Sequence, residues 1–132
     1  MTDGLSAISA GFSRDAGWMA LAINLGSLFA MPLALGTLDD LPTPLPVGAT
    51  VLAAASFGVG AAFAGLFAFL GYLHYLWRSE AVTGGAGATA GRGRIRVSHG
   101  LGIAAGTLSY LAFLSGWIFL GEAVIRTAGW AW

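Results

Sequence analysis

The sequence predicts an all-α integral membrane protein with three transmembrane helices, the second and third forming an antiparallel hairpin. Three observations lead there. Of 132 residues, 57% are hydrophobic and only 9% are charged, against roughly a quarter charged in soluble domains. Three apolar stretches each reach the ~20 residues that a helix needs to cross a bilayer. Many of the 21 glycines lie inside those stretches rather than between them, a habit of membrane helices more than of soluble ones. The mean hydropathy of +0.78 agrees. The chain reads as one membrane domain, 1–132, with no internal repeat.

The first helix is expected at about residues 17–38. Its apolar run exceeds the 7–15 residues of a signal peptide core, and the preceding charges, Arg14 and Asp15, cancel, so a cleaved leader is not expected. Pro32 lies inside it and predicts a kink. Pro42, Pro44 and Pro46 then make a short, stiff, extended link. The second helix is expected at about 47–77, roughly 45 Å long at 1.5 Å per residue, so it must tilt, bend or project. Gly58 and Gly60 are a place for a bend. Residues 78–98 read as a long connection rich in glycine and arginine, flexible by composition. The third helix is expected at about 101–125.

Arginine placement orients the bundle. The 78–98 connection holds Arg78, Arg92, Arg94 and Arg96, whereas the connection before it holds Asp39 and Asp40 and no basic residue. The positive-inside rule puts the arginine-rich connection and the N-terminus in the cytoplasm and the C-terminus outside, as in a bacterial inner membrane. Arg126 opposes that assignment, but Glu122 lies one turn before it and is the expected partner. Arg92, Arg94 and Arg96 are expected at anionic lipid headgroups or a partner surface. Trp18, Tyr72, Tyr75, Trp77, Trp130 and Trp132 fall where an aromatic belt belongs.

Two stripes at helical spacing stand out. One is Phe57, Gly60, Ala64, Phe67, Gly71 and His74; the other is His99, Gly102, Gly106, Ser109, Phe113 and Gly116. Steps of three and four keep each stripe on one helix face. In antiparallel neighbours both histidines fall at the same end and can meet. Imidazoles from two helices are a usual axial pair for haem b, and a single one can hold a chlorophyll-type pigment. His74 and His99 are therefore the candidate cofactor-binding residues. That layout is similar to the small haem-bearing anchor subunits of respiratory complexes, succinate dehydrogenase among them. The similarity is one of layout and carries over no residue role.

The same stripes serve helix packing, for which Gly60, Ala64, Gly71, Gly102, Gly106 and Ser109 are the candidates. Small residues four apart let membrane helices approach closely, as in Ala54 with Gly58, Gly60 with Ala64, Ala61 with Gly65, and Gly102 with Gly106. Close backbones and a macrocycle between them exclude one another. Asn24 lies inside the first stretch, and its amide needs a partner on another helix.

Other chemistry is scarce. With no cysteine there is no disulfide, thiolate metal site or iron–sulfur ligation. Zero net charge gives no electrostatic footprint for nucleic acid. Gly85, Gly87 and Ala90 match G-x-G-x-x-A, but a dinucleotide fingerprint follows a strand and this one follows a membrane helix. No nucleophile–base or paired-carboxylate set is present, so neither catalytic residues nor a metal site are expected. The expected function is a small accessory or anchor subunit of a larger membrane complex of the energy-transducing type, with other membrane subunits and lipids as partners. The alternatives are a haem- or pigment-binding subunit for electron transfer or light harvesting, and a small oligomeric transporter or channel. The last has only Asn24, Ser27, Thr107 and Ser109 as polar groups near its midplane.

Overall fold

The computed structural model describes the backbone of residues 2–36, 46–82 and 88–128, and the side chains of 14–33, 35, 46–79 and 93–128. Three helices account for these residues: α1 (Thr2–Gly36), α2 (Val47–Val82) and α3 (Ala88–Thr127). All three are long and apolar enough to cross a membrane. The described residues contain no strand.

The helices are longer than the apolar stretches alone suggest, at 35, 36 and 40 residues. At 1.5 Å per residue each measures about 50–60 Å, so it overruns a hydrocarbon layer of about 30 Å. The largest departure from expectation is at residues 78–98. Residues 78–82 and 88–98 are helical, and 83–87 lie outside the described residues. Glycine composition suggests a loop here. A glycine inside a helix, however, costs only about 1 kcal/mol relative to alanine, and Ala88 and Ala90, with Arg92, Arg94 and Arg96 after them, favour helix. Extending an existing helix also avoids the cost of a new nucleus.

The link containing Pro42 and Pro44 lies outside the described residues. Pro46 ends it, and its carbonyl oxygen accepts the Ala49 and Thr50 amides at 3.0 and 3.3 Å, which starts α2. From there α2 runs unbroken past Gly58 and Gly60. In α1 the helix continues across Pro32, although proline supplies no amide to the carbonyl of Leu28.

Among the described residues α2 and α3 make the most extensive contact; α1 leans on α2 and meets α3 sparingly. The two stripes face each other, and each step along α2 is matched by the opposite step along α3. At one end Phe57 is fully buried with Met31 and Ala53. Its ring packs against Phe113 and Trp117 at centroid distances of 6.2 and 5.9 Å. Gly116 makes room for it, because a Cβ there would stand 2.5 Å from the Phe57 ring. At the middle, Asn24 of α1 reaches both other helices. Towards the other end, the Phe67 ring lies against Gly17 of α1 and Gly102 and Gly106 of α3. The histidines follow at the end of that series.

Candidate functional site

The buried polar centre comes from α1. Asn24 is 0% exposed. Its amide nitrogen donates to the Ala20 carbonyl at 2.8 Å and to the Ser109 hydroxyl at 3.1 Å. The Ser109 hydroxyl donates in turn to the Gly60 carbonyl at 2.8 Å. The partner that the sequence demands for Asn24 is therefore Ser109 of α3, with α2 tied in through its backbone. The Asn24 carbonyl oxygen has no conventional donor. It sits where a Gly60 Cβ would lie, 1.9 Å from that position, so it faces a Cα–H of Gly60 in the manner of a weak Cα–H···O contact. No room is left for a ligand, and the node is a structural lock.

The histidines form a different kind of site. Their rings meet at a centroid distance of 5.7 Å, tilted by 44°. Ser98, 3% exposed, donates its hydroxyl proton to the Ile95 carbonyl at 3.0 Å. The same hydroxyl lies 3.3 Å from Nδ1 of His74. With its own proton committed, Ser98 accepts at that contact, so Nδ1 carries the hydrogen. In that tautomer Nε2 is the ring nitrogen left for a ligand, the arrangement found when an imidazole's other nitrogen is anchored.

Both rings line a cleft of ≈ 760 Å³, within the usual range for small-molecule sites. Phe67, Leu70, Gly71 and Gly102 make its apolar floor, and Arg78 and Arg96 line it with the histidines. Ala16 closes it from α1. No lining residue is acidic. Among the described residues neither Arg78 nor Arg96 has an ion-pair partner, whereas Arg14 pairs with Asp15 and Arg126 with Glu122, as its spacing predicts.

The candidate packing residues divide. Gly60, Ala64, Gly102 and Ser109 are buried between helices, and Gly106 lies against Phe67. Gly71 does not pack: a Cβ there would meet nothing within 4 Å, and the residue opens into the cleft. This corrects its reading as a contact residue. The physical reason is that Phe67 turns towards Gly102 and Gly106 and leaves the next turn of α2 uncovered. Of the arginines, Arg96 lines the cleft, Arg94 is exposed away from it, and the Arg92 side chain lies outside the described residues. Gly85 and Gly87 also lie outside them, while Ala90 is within α3.

Sequence reasoning missed Arg78, Ser98 and Tyr75 as members of this site. A signal was present: Arg78 is one turn beyond His74, and Arg96 and Ser98 lie just before His99. Among the described residues no group of three or more histidine or acidic side chains is placed to hold a metal ion. No protein-family model, curated protein or solved structure matches the chain.

Proposed function

We propose that the chain is a small membrane subunit that docks among the helices of a larger, energy-transducing assembly. The observation that supports this most is a second ridge of small residues on α2, facing away from the bundle. Ala55, Gly58, Ala62 and Gly65 follow one another at steps of three, four and three along its outer side, and a Cβ at Gly58 or Gly65 would meet nothing within 4 Å. The inner ridge of the same helix shows what such residues do here: Gly60 and Ala64 let neighbouring elements close in. Lipid chains gain nothing from a smooth, narrow ridge, whereas a partner helix gains close van der Waals contact.

Charge supports an orientation for this subunit. Arg78, Arg94 and Arg96 share the end of the hairpin that carries the histidines, against Arg126 at the far end. The histidine end is the cytoplasmic one under the positive-inside rule, with the C-terminus external, in a bacterial inner membrane.

The test is purification in mild detergent from native membranes. Wild-type chain is expected to travel with larger subunits, and Gly65→Leu to release them while keeping its helicity. A chain that is stable and alone in mild detergent, with Gly65→Leu behaving identically, overturns the reading.

One observation favours a cofactor-binding subunit as the second reading: two facing imidazoles, one with Nε2 left free by Ser98. The middle of the hairpin is closed to a macrocycle, since Phe67 occupies the glycine-lined space. Haem b or a chlorophyll-type pigment would have to sit in the cleft itself. An absorption spectrum decides: a Soret or pigment band lost in both His74→Ala and His99→Ala supports the pair as ligands, and its absence from the native protein removes the reading.

A further inference from the structure

The cleft has a chemical character that neither docking nor axial ligation calls for. Its polar rim is cationic or hydrogen-bonding throughout: Arg78, Arg96, His74, His99, Ser98 and Tyr75. The two guanidinium groups have no carboxylate partner among the described residues. Its floor is apolar, and Gly71 gives it depth. It opens at the end of the bundle, where long apolar helices reach the limit of a bilayer. Unpaired guanidinium groups converging on one cleft are matched best by a phosphate, which accepts from both at once. A free phosphate would leave the apolar floor unused. A phospholipid matches both parts.

We propose that this cleft is a binding site for an anionic phospholipid, whose phosphate is held by Arg78 and Arg96 beside the two imidazoles and whose chain lies over Gly71 between Phe67 and Leu70. Arg78 comes from α2 and Arg96 from α3, so the bound phosphate bridges the open end of the hairpin. Ser98 acts through His74, anchoring the ring at Nδ1 and so fixing its position beside the site. The proposal does not rest on a partner subunit, and the isolated chain suffices to test it.

The experiment is native mass spectrometry of the full chain, released from mixed phosphatidylglycerol–phosphatidylcholine nanodiscs into detergent. Wild type is expected to retain about one phosphatidylglycerol, preferred over phosphatidylcholine by roughly 10-fold. Arg78→Gln with Arg96→Gln is expected to lower that retention by at least about 10-fold. Arg94→Gln removes one positive charge from the same end but outside the cleft, and is expected to change retention by less than about 3-fold. Gly71→Leu puts a side chain into the floor at a position where a Cβ meets nothing within 4 Å, and is expected to abolish retention while circular dichroism stays unchanged. The arginine variants alter only exposed side chains, so they report on binding even if Gly71→Leu perturbs folding. Equal retention of the two lipids, or a loss in Arg94→Gln as large as in the cleft pair, overturns the proposal. Displacement of the lipid by millimolar inorganic phosphate assigns the cleft to free phosphate and also overturns it.

Discussion

Glycine has opposite meanings at different positions of this chain, and the difference lies in what each Cβ would meet. At Gly60 it would stand 1.9 Å from the Asn24 carbonyl oxygen, and at Gly58, on the other side of the same helix, it would meet nothing within 4 Å. Gly60→Ala must push Asn24 out of a fully enclosed position, and is expected to cost about 1–3 kcal/mol, as overpacking of a close contact does. Gly58→Ala in the isolated chain is expected to stay within about 0.5 kcal/mol of wild type. Reversible denaturation in mixed micelles measures both, and similar values for the two variants would contradict the packing described for Asn24. The hydrogen bond from Asn24 to Ser109 has its own expected size. Interhelical bonds in membranes average about 0.6 kcal/mol, with a maximum near 1.7, because the unfolded helix finds other partners in the bilayer. A double-mutant cycle of Asn24→Ala and Ser109→Ala should fall in that range, towards the upper end because Ser109 also holds the Gly60 carbonyl.

Among the elements, the α2–α3 pair is the part most legible in sequence. Two stripes with steps of three and four predicted both which faces meet and the antiparallel register that brings His74 to His99. Periodicity carries this information because a helix face repeats along the chain. Helix ends were less legible, since glycine marks loops and narrow helix contacts alike, and residues 78–82 and 88–98 proved helical. The shape of the cleft was not legible, although its histidines were. It depends on where one ring turns: Phe67 packs onto Gly102, Gly106 and Gly17 and leaves Gly71 bare. No local pattern encodes that choice, because it is set jointly by three helices. Phe67→Ala is therefore informative. It removes the plug between α1 and α3, and lost dispersion contacts should cost about 1–3 kcal/mol, below the 3–5 typical of soluble cores because lipid replaces water in the unfolded reference. The cleft would then extend down to Gly106. Wild-type stability in Phe67→Ala would mean that the ring contributes no net packing energy.

At the scale of the whole molecule, three apolar helices leave most of their surface to lipid or partners, so packing alone does not say which end faces the cytoplasm. Charge has to decide, and it is uneven. The cleft end carries Arg78, Arg94 and Arg96 without ion-pair partners among the described residues, while Arg126 at the other end is matched by Glu122 one turn away. An i,i+4 pair at exposed positions contributes only a few tenths of a kcal/mol to stability, yet acidic residues weigh little in topology, so Arg126 still opposes the three. Orientation then rests on a majority of basic residues rather than on a pairing of charges. Replacing Arg78, Arg94 and Arg96 together by Gln, in a chain that also carries Arg92→Gln, should leave Arg14 and Arg126 in balance and yield a mixed population of orientations. Replacing Arg126 alone should leave one orientation. A reporter fused after the last residue reads this directly, with a periplasmic signal for wild type and for Arg126→Gln, and a divided signal for the quadruple variant. A uniformly periplasmic signal from the quadruple variant would move the orienting signal from these arginines to the folding of the hairpin, in which case the cationic rim of the cleft serves ligand binding and not insertion.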